Sequence, residues 1–146
     1  MATPILTAEE VREHISDKLE ANRLLDTVEF TNTRIDLAIS LAVDRFNMIA
    51  PVGNANLYTF PNKGILMYGT LATLFEGQAA LLARNHMSYS DGGITVAVEE
   101  RMALYRELAA MYGQAFETSS RALKIEQNID AGWGSVGSDY ARFPIW

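Results

Sequence analysis

From Gly64 to Ala83 the chain reads GILMYGTLATLFEGQAALLA, with Glu76 as its only charge. This stretch decides the fold. Its length matches the roughly 20 residues of a membrane span. Glu76 and Gln78 fall in its second half, however, and no basic or aromatic belt flanks it. It therefore reads as a helix from about Asn62 to Arg84, buried on nearly every side. Gly69, Thr73 and Gly77 recur every four residues and put small side chains on one face, where a second helix can approach closely. An element this apolar takes the centre of a small bundle, with room for a neighbouring subunit to complete its cover.

Working toward the N-terminus, Val52 to Asn62 is a loop holding Gly53 and Pro61, with Leu57, Tyr58 and Phe60 as expected anchors. Pro51 closes the element before it, since proline disfavours a helical residue at the preceding position. That element is a helix from about Asn32 to Ile49. Thr31, Asn32 and Thr33 offer caps, and Ile35, Ile39, Ala42, Phe46 and Ile49 form its apolar row. A first helix starts at Thr7, because Thr7-Ala8-Glu9-Glu10 is a capping box. Val11, Ile15 and Leu19 give that helix a narrow stripe. A break follows over Asn22 to Asp26.

Toward the C-terminus, Ser90-Asp91-Gly92-Gly93-Ile94 carries a strong turn signal, since glycine takes positive φ cheaply. The β-branched residues after it suit a short strand or hairpin arm. A fourth helix runs from about Glu99 to Asn128 with two apolar rows. One holds Val98, Met102, Tyr105, Ala109, Tyr112, Phe116 and Leu123, interrupted by Ser119. The other holds Leu104, Leu108, Met111, Ala115, Ala122, Ile125 and Ile129. Two such rows make one broad face, or two faces for different partners.

The last stretch, from Gly132 to Trp146, contains three glycines, Pro144 and both tryptophans. It is expected to be extended, since glycine and proline disfavour helix. Disordered tails are poor in aromatics, and each aromatic buried here would gain about 2–3 kcal/mol. Trp133, Tyr140, Phe143, Pro144, Ile145 and Trp146 are thus candidate docking residues, on the protein's own body or on a neighbour. The over-apolar central helix favours the neighbour. The expected organisation is a mainly α helical bundle of about four helices. Its body covers residues 1–128, with an arm near 86–98, and an extended docking tail covers 129–146.

Several function classes lose support. A net charge of −6 with no basic run argues against general nucleic-acid binding. Absence of cysteine removes disulfide and thiolate chemistry and fits a reducing compartment. Met1-Ala2-Thr3-Pro4 lacks the features of a secretory leader. The two histidines, His14 and His86, have Val11 and Ala83 three residues earlier, so the Glu-x-x-His pattern of di-iron bundles is missing. The Asp91 turn lacks the Gly-Lys-Ser/Thr ending of a phosphate loop and the further ligands of a calcium loop. Trp133 stands where a nucleophile elbow around Ser135 needs glycine. No catalytic, metal or cofactor residue is therefore assigned.

Three stretches carry a resemblance: Asn47-Met48-Ile49-Ala50-Pro51, then Arg84 to Ile94 (RNHMSYSDGGI), then Leu123 to Ile129 continuing through Gly132-Trp133-Gly134. Together they resemble the small neck proteins of tailed bacteriophages, the head–tail adaptor or head-completion class. The resemblance implies a mostly helical virion protein without enzymatic activity. It would be a homo-oligomeric ring, often twelve-fold, between the portal protein and the stopper, tail terminator or other neck proteins, assembled in the host cytoplasm. DNA would be passing cargo, which suits the acidic balance. By the same resemblance, the arm (Tyr89, Asp91, Gly92, Gly93, Ile94) and the C-terminal tail would dock onto adjacent subunits or the portal. The alternatives are another virion ring component, such as a stopper or tail terminator, and a helical-bundle ligand-binding protein or enzyme.

Overall fold

The computed structural model describes residues 3–22, 27–85, 90–91, 94–95 and 98–133. The protein is mainly α. Four helices follow one another: α1 (Ala8–His14), α2 (Asn32–Met48), α3 (Lys63–Arg84) and α4 (Val98–Trp133). Two-residue strands β1 (Ser90–Asp91) and β2 (Ile94–Thr95) sit between α3 and α4. They pair antiparallel, Ser90 opposite Thr95 and Asp91 opposite Ile94, so the expected arm is a minimal β ladder.

Side-chain caps set three helix starts. The Thr7 hydroxyl accepts the Glu10 N–H while the Glu10 carboxylate accepts the Thr7 N–H, completing the capping box. The Thr31 hydroxyl caps α2 and the Asn62 amide oxygen caps α3.

The first helix is shorter than its stripe predicts. It stops at His14, Ser16 adopts a left-handed φ of 53°, and Leu19 lies exposed. The cause is Asp17. Its buried carboxylate accepts the backbone N–H of Glu29 at 2.7 Å and of Phe30 at 2.9 Å. Asn22 and Arg12 complete its shell. A side chain that satisfies a distant backbone in this way competes with helix continuation.

At its far end α4 corrects a second expectation. Ile129 to Trp133 are helical, not extended, so the body continues past residue 128. One interior glycine costs a helix about 1 kcal/mol, too little to end a run this long by itself.

α3 is the central element. It packs on α2 and α4, and ten of its residues, among them Leu66, Leu71, Leu74 and Phe75, are buried. It is long and apolar enough to cross a membrane, yet 56% of that apolar window lies inside the bundle. Gly69 makes the close approach read from the sequence: a Cβ there would lie 2.7 Å from the Phe116 ring and 2.9 Å from the Ala42 Cβ. At Gly77 the nearest atom to such a Cβ is a guanidinium nitrogen of Arg34 at 3.1 Å, so that glycine meets the flexible tip of an α2 side chain and not a close helix surface.

The loop after α2 is held from both sides. The Asn47 side chain donates to the Ala55 carbonyl and accepts the Ala55 N–H, at 2.8 and 2.9 Å. Phe60 is buried against Phe46 with ring centroids 4.6 Å apart, and Leu57 is half-buried. Tyr58, expected as an anchor, points to solvent.

Candidate interaction surface

The two apolar rows of α4 part company in the structure. The first turns inward. Tyr105 and Tyr112 both stack on Phe75, at 5.9 and 5.8 Å between centroids, and Phe116 seats on Gly69. At Ser119, where this row lapses, the next residue, Ser120, takes the inner position and is fully buried. Lys124 follows one turn later, also buried. Its ammonium donates to the Ile49 and Pro51 carbonyls and lies 4.6 Å from the Phe46 ring centre. Burial pushes this lysine below its ordinary pKa. The spacing of four from Phe116 through Ser120 to Lys124 was the sequence signal for this inward lysine.

The second row turns outward. Leu104, Met111, Ile125 and Ile129 are each more than half exposed. Leu108 is half-buried and packs partly on the core, Ala115 is partly covered, and Thr118 and Ala122 are exposed. These eight positions alternate by four and three, which is a heptad seam. α2 carries a second outward stripe that the sequence reading missed: Leu37, Leu41 and Met48, the last 78% exposed. Their helical spacing lay in plain view, off the inward row of Ile35, Ile39, Ala42 and Phe46. Single exposed apolar residues are ordinary, but rows on two helices form candidate contact surface.

A polar cluster joins the helices. Tyr105 donates its hydroxyl to the Glu29 carboxylate, which also accepts from the Gln78 amide at 3.1 Å. Arg34 donates to the Gln78 oxygen at 3.0 Å. Burial and the adjacent Glu29 charge raise the Tyr105 pKa to about 12. This cluster ties α2, α3 and α4 to the segment before α2. Its carboxylate oxygen is already occupied by two donors.

An open groove of about 630 Å³ lies between α3 and α4. Alanines form its floor, and Arg45, Glu76, Arg106 and Glu117 stand on its rim. Among the described residues, no group of three or more histidines or carboxylates stands together as a metal site. His14 is exposed at the end of α1.

Of the docking residues expected from the sequence, Asp91 and Ile94 oppose each other in the β ladder, and Trp133 is the last residue of α4. Tyr89, Gly92, Gly93, Tyr140, Phe143, Pro144, Ile145 and Trp146 lie outside the described residues. No protein-family model matches the chain, and comparison with curated proteins and with solved structures finds no match.

Proposed function

We propose that this chain is a structural subunit of a tailed-phage neck. In that reading, copies form a ring that connects the portal to the tail or to a stopper and leaves a passage for DNA. The observation that carries it is the pair of uncovered apolar rows, Leu37/Leu41/Met48 on α2 and Leu104 to Ile129 on α4. A subunit with such rows on different helices meets neighbours on more than one side. Cyclic assembly needs this, because head-to-tail contacts join two unlike patches. The net charge of −6 suits a passage that does not hold DNA. The sequence resemblance adds the portal and neck setting, inside the virion.

Such a protein works through binding geometry. Helix faces close the ring, while the 90–95 arm and residues 134–146 grip adjacent subunits or the portal. Electron microscopy of the purified chain, alone and mixed with its portal, tests the reading. Rings are expected. A variant lacking residues 134–146 should keep its helical circular-dichroism signal and lose ring formation. A full-length chain that forms no ring under either condition would sink the proposal. The α3–α4 groove favours the second reading, a helical ligand-binding protein. A stoichiometric small molecule in native mass spectra of the purified chain would support that reading instead.

A further inference from the structure

The outward seam of α4 is regular enough to name its occupant. From Leu104 to Ile129 eight positions alternate by four and three, all of them apolar except Thr118, over about 38 Å of helix at 1.5 Å per residue. Seams sustained over three to four heptads suit another helix laid alongside. The longest helix among the described residues is α4 itself. We infer that α4 of one copy pairs antiparallel with α4 of a second copy, as an isologous two-fold contact.

The register follows from the seam. With the two-fold axis between Ala115 and Thr118, Leu104 faces Ile129 of the second copy and Leu108 faces Ile125. Met111 then faces Ala122, and Ala115 faces Thr118. The long, flexible methionine meets a small residue, and the small central residues let the backbones close. Charge complementarity sets the direction. Antiparallel pairing brings Arg101, whose guanidinium also lies by the Tyr105 hydroxyl, near Asp130 of the second copy at both ends. On the other flank Glu107 meets Asn128, and Gln114 meets Arg121. No like charges oppose one another. A parallel pair would set Arg101 against Arg101 one turn beyond Leu104. Its compensating contact, Arg121 to Glu126, competes with the Glu117 that already faces Arg121 at 3.9 Å within α4.

A two-fold contact closes on itself, whereas a ring contact joins unlike faces. Both contacts cannot use the α4 row of one copy, so the pairing leaves the α2 row, the arm and the tail to close a ring, and the two readings are tested apart. The test uses the full-length chain. Sedimentation at micromolar concentrations should show a two-chain species as the smallest assembled unit. Met111→Glu with Ile125→Glu, both at exposed positions, should return it to one chain with an unchanged melting curve. Because the protein has no cysteine, engineered thiols report the register. An Ala115→Cys chain mixed with a Thr118→Cys chain should cross-link to each other better than either does to itself.

A chain that stays monomeric throughout the concentration range overturns the pairing, whatever else covers the seam. So does a dimer that survives the double glutamate change. Self-cross-linking of Ala115→Cys as the dominant product overturns the antiparallel direction. Rings that persist in the glutamate variant alongside loss of the dimer support the pairing and mean that the ring closes without the α4 row. Dimers without rings support the pairing and count only against the neck reading.

Discussion

The ring of Phe116 rests against the bare backbone of Gly69, so closely that a Cβ on that glycine would come within 2.7 Å of the ring. Ala42 closes the other side at 2.9 Å. Neither the helix backbone nor the buried ring can step aside cheaply. Gly69→Leu should therefore overpack the meeting point of α2, α3 and α4 and cost about 1–3 kcal/mol or more. Gly77→Ala meets only the movable Arg34 tip and should be far milder. Paired urea melts of the two variants check the contrast, and equal midpoints would contradict it.

Asp17 should make the fold acid-labile. Burial alone would raise its pKa. Hydrogen bonds from the Glu29 and Phe30 amides and from Asn22, with the charge of Arg12, outweigh burial and hold the carboxyl low. A carboxyl lowered in the folded state contributes stability above its unfolded pKa of about 3.9, and that stability drains away as pH falls through the folded value. Wild type should thus lose stability below about pH 4. Asp17→Asn should be less stable near neutrality and show a flatter acid limb. Chemical denaturation at a series of pH values gives the comparison.

Tyr105 should be the tyrosine that ionises late. With its pKa raised to about 12, it donates to Glu29 below its unfolded pKa, and that contribution disappears as pH climbs toward the folded value. Phenolate absorbance should show a late step that is absent from Tyr105→Phe. The same variant should lose about 0.5–1.5 kcal/mol at neutral pH for the missing hydrogen bond.

Lys124 should fasten the loop after α2. Removing its ammonium leaves the Ile49 and Pro51 carbonyls without that donor, each worth about 1–3 kcal/mol if left buried and unpaired. Lys124→Met keeps most of the apolar stem, so its cost reports the polar contacts. Its folded pKa is lowered, so the unfolded chain binds the extra proton and the wild type gains stability on alkalinisation through that window. Faster amide exchange over residues 49–57 in the methionine variant is the expected signature.

What could be read from the sequence followed local rules. Thr7, Thr31 and Asn62 announced three helix starts because caps act within three residues. The inward row of α2 and the close glycine of α3 followed from helical periodicity. The early end of α1 was hidden because Asp17 finds partners twelve and thirteen residues away. Gly132 read as a stop, since local propensity overstates what one glycine does at the end of a long helix. The outward direction of Leu104 to Ile129 could not be assigned either. Two apolar rows on one helix compete for the same core, and only the position of α3 decides between them.

The way α1 is fastened sets an order on folding. α2, α3 and α4 each pack on a neighbour in sequence. α1 makes a smaller contact with α2, through buried Val11 and through Arg12 on Phe30 and Asn32, and is also secured by Ile5 N–H on the Leu57 carbonyl and by the Glu10–Lys63 ion pair. The Ile5–Leu57 and Glu10–Lys63 contacts close loops of more than fifty residues, an entropic cost that local helix pairs avoid. The helical trio should then form the folding nucleus, with α1 docking late. Damage at Gly69 should slow refolding, while truncating Val11 to Ala should chiefly speed unfolding. Stopped-flow chevrons would reveal an early-forming α1 if Val11→Ala moved the folding arm instead.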